Sequence, residues 1–280
     1  MQVVTMLLAR KVRQGKKTDI AKAKSMIRKL RASTTPTITP DEHIMTKSIF
    51  GLGSRRLRLY QAVLLLLASY EMPTNDVIPV LKGGTISTQY SAKPRPNVTD
   101  INVQIMARKK KLSGKTSLRS LTGDEQYWKL YFRHAMRNIL GLAVFMTHKL
   151  NSLTGLKSAV ARAWPSAITS ASFKIRGSHV ARPRKITLVS IDLHIQESSG
   201  KKQTIPVFDM VLGDARAPKT INPSNIVTLK KNGKTLYQFS WPWLDKDFAI
   251  MMKNTSKPAM EKRPKRLARW LEGLMRTPSQ

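Results

Sequence analysis

Residues 154–177 read TGLKSAVARAWPSAITSASFKIRG, and residues 184–197 just beyond them read RKITLVSIDLHIQE. The first stretch holds four cations, Lys157, Arg162, Lys174 and Arg176, and no acid; small and hydroxyl residues fill most of the remainder, and Phe173 stands directly before Lys-Ile-Arg. The second carries Ile186, Leu188, Ile191 and Leu193 at near-alternate positions, the pattern of a half-buried strand. Together they predict a basic, flexible loop that feeds a strand of a sheet.

Upstream, DEQYWKLYFRHAMRNILGLAVFMTHKLNSL at 124–153 predicts a long helix with Asp124 and Glu125 near its positive end. NVTDINVQIMA at 97–107 reads as a strand through Val98, Ile101, Val103 and Ile105, and it runs into the cationic loop ARKKKLSGKTSLRS. SRRLRLYQAVLLLLASYE at 54–71 is a helix capped by Ser54, and a Gly- and Pro-rich loop covers 73–97. TTPTITPDE at 34–42 is a linker broken by two prolines. Before it, residues 1–34 read as one or two basic amphipathic helices with ten Lys/Arg and a single acid, Asp19, a pattern that also suits an organelle-import presequence.

Downstream, NIVTLKKNGKTLYQFSW at 225–241 is a hairpin, because Asn232-Gly233 suits a type I′ turn. DKDFAIMMK at 245–253 reads as a further strand, and KPAMEKRPKRLARWLEGLMRTP closes the chain with a helix. The expected fold is α+β: an antiparallel-containing sheet with helices packed on one face, plus a basic helical N-terminal extension. The extension and linker occupy residues 1–50 and the main domain 51–280.

The 280 residues are 41% apolar, enough for a core, yet 50 Lys+Arg face 16 Asp+Glu for a net charge of +34. A chain this cationic repels itself unless a polyanion neutralises it, so nucleic acid is the leading partner and an acidic membrane surface the second. No apolar run approaches the roughly 18 residues of a membrane span. Without cysteine, disulfides, thiolate zinc sites and cysteine nucleophiles are excluded.

Catalytic patterns are weak. SGKTS at 113–117 resembles the end of a phosphate-binding loop, but Lys109 stands where that loop needs its first glycine. The five histidines show no metal-ligand spacing, and Asp245 with Asp247 suits a salt bridge better than a paired acid-base site. Neither catalytic residues nor a metal nor a cofactor is expected. Cationic clusters at 55–58, 108–111, 174–185, 201–202, 230–234 and 262–269 instead recur in separate elements, as suits a protein embedded in a phosphate surface. Arg108, Lys109, Lys110, Lys111, Lys115, Lys231 and Lys234 are the expected contacts to RNA phosphate.

The central block resembles the universal L-five family of large-subunit ribosomal proteins, which binds 5S ribosomal RNA. The motifs that carry the resemblance are Thr154-Gly155-Leu156-Lys157, Val160-Ala161-Arg162-Ala163, Ser166-Ala167-Ile168, Phe173-Lys174-Ile175-Arg176 and Lys185-Ile186-Thr187-Leu188. Asn222-Pro223-Ser224, YQFSWPWLDKDF at 237–248 and the closing Leu274-Met275-x-x-Pro278 follow in the family's order, so that the likeness spans about residues 55–278. It departs from the family where Trp164-Pro165 replaces a pair of cations, where two or three residues are inserted before Phe173, where Pro206 interrupts a family helix, and where Gln104 replaces an asparagine.

The resemblance implies a structural constituent of the large ribosomal subunit, in its central protuberance. Its partners would be 5S RNA or its replacement, large-subunit ribosomal RNA and neighbouring ribosomal proteins. The divergence and the N-terminal extension suit a mitochondrial member. The loop bearing Lys157, Arg162, Lys174 and Arg176 would face transfer RNA in the peptidyl site, with cations for phosphate, small residues for close approach and Phe173 as an apolar foot. A viral matrix or nucleocapsid protein that binds RNA or acidic membrane is the alternative.

Overall fold

Among the described residues, seven strands share one mixed sheet, accompanied by five helices of 11 residues or more. In this computed structural model the described residues are 2–33, 63–64, 66–73, 76–83, 86, 100–108, 123–152, 167–180, 187–212, 226–231, 234–253 and 257–274. The strands are β1 (Val77–Lys82), β2 (Ile101–Ala107), β3 (Ile168–Val180), β4 (Thr187–Glu197), β5 (Lys202–Leu212), β6 (Ile226–Lys231) and β7 (Lys234–Phe239). They lie in the order β3-β4-β5-β2-β1-β7-β6. The pairs β2/β5 and β1/β7 are parallel and the rest antiparallel. The helices are α1 (Gln2–Val12), α2 (Lys17–Ser33), α3 (Gly123–Ser152), α4 (Trp241–Lys253) and α5 (Lys257–Leu274). The fold is α+β.

Side chains alternate across a strand, and here the alternation separates two faces. Ile101, Val103 and Ile105 of β2, Ile191 and Leu193 of β4, Phe208 and Met210 of β5 and Phe173 of β3 are all buried. α3 packs on β1 to β4, burying Leu130, Tyr131, Ala135, Ile139, Leu142, Met146 and Leu150 at helical spacing. It is fastened at both ends. The Tyr131 hydroxyl donates to the Ile105 carbonyl at 2.7 Å. At the far end the Asn151 amide accepts from the Phe173 N–H at 2.8 Å and donates to the Phe173 carbonyl at 3.0 Å. That bidentate contact occupies backbone groups of β3, the outermost strand. Mid-helix Gly141 is explained by Tyr70, whose hydroxyl would collide with a Cβ there; the Tyr70 ring tilts against Phe145 with centroids 5.1 Å apart.

The basic extension is a helical hairpin. Gly15, at φ 82°, turns α1 into α2 in a conformation that favours glycine. Ala9 and Val12 of α1 and Ala23 and Ile27 of α2 are buried with Leu267, Ala268 and Leu271 of α5, and both helices pack on α5. A line of aromatics ties this helical cluster back to the sheet. Phe239 at the end of β7 stacks on Trp243 at 4.5 Å, Phe248 stacks on Trp270 at 6.1 Å, and the Trp270 indole N–H donates to Asp245 Oδ1 at 2.6 Å.

Three readings of the sequence are corrected. The Gly/Pro loop expected over 73–97 contains β1, a central strand. Its run VIPVLK is apolar on both faces, so no alternation marks it, and Pro79 reads as a breaker. Its pairing with β7 begins only at Val80, just past the proline. Residues 245–253, read as a strand, belong to α4: Trp241, Leu244 and Phe248 are buried at spacings of three and four, and Pro242 sits in the first turn, where no amide partner is lost. Residues 173–176, read as part of a loop, lie in β3, with Phe173 paired to Leu193 and Ile175 to Ile191. Residues 189–212 form most of a β4–β5 hairpin. Pro206 is tolerated because it sits beside a register shift, in a part of β5 that β2 does not reach. The 232–233 turn and the 34–42 linker lie outside the described residues.

Replacing Asn151 by Ala should cost about 2 kcal/mol, since two backbone groups of Phe173 lose their partner in a partly buried place. Urea denaturation of the two proteins measures it; equal midpoints would show that Asn151 does not hold the edge.

Candidate nucleic-acid interface

The sheet's other face is crossed by a polar row. Register places Arg176 of β3 opposite Ser190 of β4, Ser190 opposite Asp209 of β5, Asp209 opposite Asn102 of β2, and Asn102 opposite Lys82 of β1. Hydrogen bonds join its members. Arg176 Nη2 donates to Ser190 Oγ at 3.1 Å, and Ser190 Oγ donates to Asp209 Oδ1 at 2.6 Å. Asn102 donates to Asp100 at 2.8 Å and Lys82 to Gln104 at 3.4 Å. Arg176 also pairs with Asp192 at 3.2 Å and stands 4.0 Å from Asp209. Asp192 and Ser190 are buried, while the Arg176 side chain is 48% exposed.

Burial pushes the Asp209 carboxyl above its usual range; the Ser190 hydrogen bond and Arg176 pull it down, and Asp100 pushes it up. An acid held above its unfolded pKa binds its proton more tightly when folded. It therefore favours the fold most at pH below its unfolded value, and that contribution declines as pH rises through the folded pKa.

This geometry separates two cations that the sequence grouped together. Lys174, opposite Asp192 in register, is exposed and its ammonium faces solvent. Arg176 is engaged by two carboxylates and a hydroxyl, so its guanidinium fixes β3 to β4 and β5. Of the other candidates, Arg108 is exposed beyond the end of β2, its guanidinium 5.7 Å from the centre of the Tyr237 ring. It borders a groove of about 660 Å³ lined also by Ser69, Glu71, Pro79 and Thr235. Lys231 and Lys234 lie on the backbone of the β6–β7 hairpin, flanking its turn. Lys109, Lys110, Lys111, Lys115, Lys157 and Arg162 lie outside the described residues. The sequence did not single out Asp192, Asp209 or Tyr237. Each acquires its role only when the register brings three or more strands together, and no spacing within one segment signals that.

Among the described residues no group of three or more His, Asp and Glu is placed to hold a metal ion. No described helix is long and apolar enough to cross a membrane.

No family model matches the chain, and no curated protein matches it. Among solved structures it is similar to an antigenic nucleotidyltransferase-like protein from Paracoccidioides brasiliensis. The identity is 14% and the TM-score 0.33, over 76% of this chain and 73% of that one. A likeness that distant bears on neither fold nor chemistry.

Two outcomes are expected. Arg176→Met should cost about 2 kcal/mol by leaving buried Asp192 without its cation, whereas Lys174→Gln should stay within about 0.5 kcal/mol of the parent; denaturant titration separates them. Asp209→Asn should lose less stability than the parent as pH rises from about 4, the ordinary carboxyl value, because the raised carboxyl is gone. Parallel urea midpoints across that rise would contradict the reading.

Proposed function

We propose that this chain is a structural, non-catalytic RNA-binding constituent of the large subunit of a mitochondrial ribosome. In this reading it belongs to the universal L-five family, lies in the central protuberance, and holds 5S RNA or its replacement together with large-subunit RNA and neighbouring ribosomal proteins. The observation that carries the reading is the block Phe173-Lys174-Ile175-Arg176 with the motifs around it, set in a chain of net charge +34. The arrangement of these four residues is compatible with the proposed role: Phe173 is buried beneath the sheet, Arg176 is held by acids, and Lys174 faces solvent from the outermost strand. A cation on a braced strand can meet a phosphate without first ordering the backbone that carries it.

The transfer-RNA-facing role narrows accordingly. Lys174 is its phosphate-contacting cation among the described residues, and Arg176 keeps the strand in register. Arg108, exposed beside Tyr237, is the corresponding ribosomal-RNA contact, with an aromatic ring beneath its guanidinium.

The native protein should sediment with the large ribosomal subunit of mitochondria; recovery in RNA-free fractions would overturn the proposal. The purified full chain should lose RNA affinity by orders of magnitude between low and physiological salt. Lys174→Ala should weaken transfer-RNA engagement of the assembled subunit severalfold without reducing assembly. Unchanged engagement would remove the transfer-RNA role and leave the ribosomal one standing.

A further inference from the structure

The helical cluster of α1, α2 and α5 concentrates charge beyond the rest of the molecule. Over residues 2–33 and 257–274 there are sixteen Lys/Arg and three acids, against 50 and 16 in the whole chain. One of the three acids, Glu272, is paired with Arg13 at 2.5 Å. Lys16, Lys17, Lys24, Arg28, Lys262 and Lys265 are exposed.

What distinguishes this cluster from a basic tail is that its apolar faces are covered. Ala9, Val12, Ala23 and Ile27 are buried to within 3% against α5, and the Gly15 turn and the Arg13–Glu272 pair fix the two N-terminal helices to it. A basic amphipathic helix binds an acidic membrane by inserting its apolar face. Here Ala9, Val12, Ala23 and Ile27 are packed within the fold; among the side chains described in these helices, Leu7 and Met260 are the exposed large apolar ones, and Leu7 borders a groove with Leu8 and Met26 whose rim carries Lys11, Lys22 and Lys29. The exposed surface therefore acts through charge. It also offers no platform for unpaired bases, since Trp270 is the aromatic residue of these three helices and it is 6% exposed, with its indole N–H engaged by Asp245. A rigid array of cations without aromatics suits the regularly spaced phosphates of a duplex and not a splayed single strand.

We infer that α1, α2 and α5 form a second RNA-binding surface, distinct from the sheet, that grips the phosphate backbone of an A-form RNA duplex. Its rigidity means that binding does not have to order the helices, the cost that a disordered basic arm would meet. This inference deepens the RNA-binding reading above and rests on it.

The test uses the full chain and a fluorescein-labelled RNA duplex of about 20 base pairs, with affinity measured across a salt series. The comparison protein carries Lys16→Gln, Lys17→Gln, Lys24→Gln and Arg28→Gln together. Four lost phosphate contacts should lower the slope of log affinity against log salt by roughly 3, and reduce affinity at about 0.1 M salt at least tenfold, with an unchanged thermal midpoint. Should that protein lose its thermal transition, the Lys24→Gln/Arg28→Gln pair is read instead, with a slope lowered by about 1.5. Exchanging the four for the other cation (Lys to Arg, Arg to Lys) should restore the parental slope. An unchanged slope in the Gln variant, while the parent binds steeply, would overturn this inference and leave the proposed function intact. Tighter binding to the single strand than to the duplex, or to vesicles containing about a third phosphatidylserine than to either RNA, would overturn it too. Failure of the parent to bind any RNA would instead remove the proposed function on which it stands.

Discussion

An outer strand leaves backbone N–H and C=O groups facing away from its neighbour, open to pairing with another chain. In this protein β3 is such a strand, and Asn151 meets both the N–H and the C=O of Phe173 with one side-chain amide. The same helix is tied at its other end to β2 through Tyr131 and Ile105. α3 therefore spans the sheet from β3 to β2, and the register of β3 against β4 follows from where its ends are held. Because side chains alternate with a period of two, a slip of one residue would carry Phe173 out of the core and Lys174 into it. The position of every charge on the opposite face depends on that register.

The second organising force is the scarcity of acid. With 16 carboxylates to 50 cations, most Lys and Arg have no internal counter-charge, yet Arg176 is approached by Asp192 and Asp209 while Ser190 bridges it to Asp209. Acids placed where strands converge hold one guanidinium inward and leave its neighbour Lys174 outward. Desolvation of Asp209 costs stability that burial of the surrounding apolar side chains must offset. The polar row therefore buys register rather than net stability, consistent with buried charges being weak stabilisers.

Charge repulsion limits what the N-terminal helices can do alone. Residues 2–33 carry ten Lys/Arg, and isolated helices of 11 and 17 residues are marginal in water. They persist because Ala9, Val12, Ala23 and Ile27 find Leu267, Ala268 and Leu271 on a helix from the other end of the chain. The small alanines permit close approach, and the long cationic side chains lie on the outer surface. Phe239, Trp243, Phe248 and Trp270 then carry rigidity from the sheet to that cluster.

Local signals were sufficient for much of the fold. The 3.6-residue period of α3, the alternation of β2 and β4, the Asn-Gly hairpin of β6 and β7 and the amphipathic pattern of α1, α2 and α5 each lie within one continuous segment, and each was legible without the structure. So were the α+β class and the excess of cations. β1 was hidden, because a strand buried on both faces loses its alternation and Pro79 imitates a break. α4 was misread, because five apolar residues in a row fit strand and helix alike until Trp241, Leu244 and Phe248 find their partners. The candidate site was legible only as a list of cations. Which of them faces solvent and which is held by acid depends on Asp192 and Asp209, brought beside Arg176 from strands 16 and 33 residues further along the chain. Sequence specifies periodicity and total charge, which are properties of neighbours along the chain; the pairing of charges across a sheet depends on register, which a tight turn fixes only between the two strands it joins and tertiary contacts fix elsewhere.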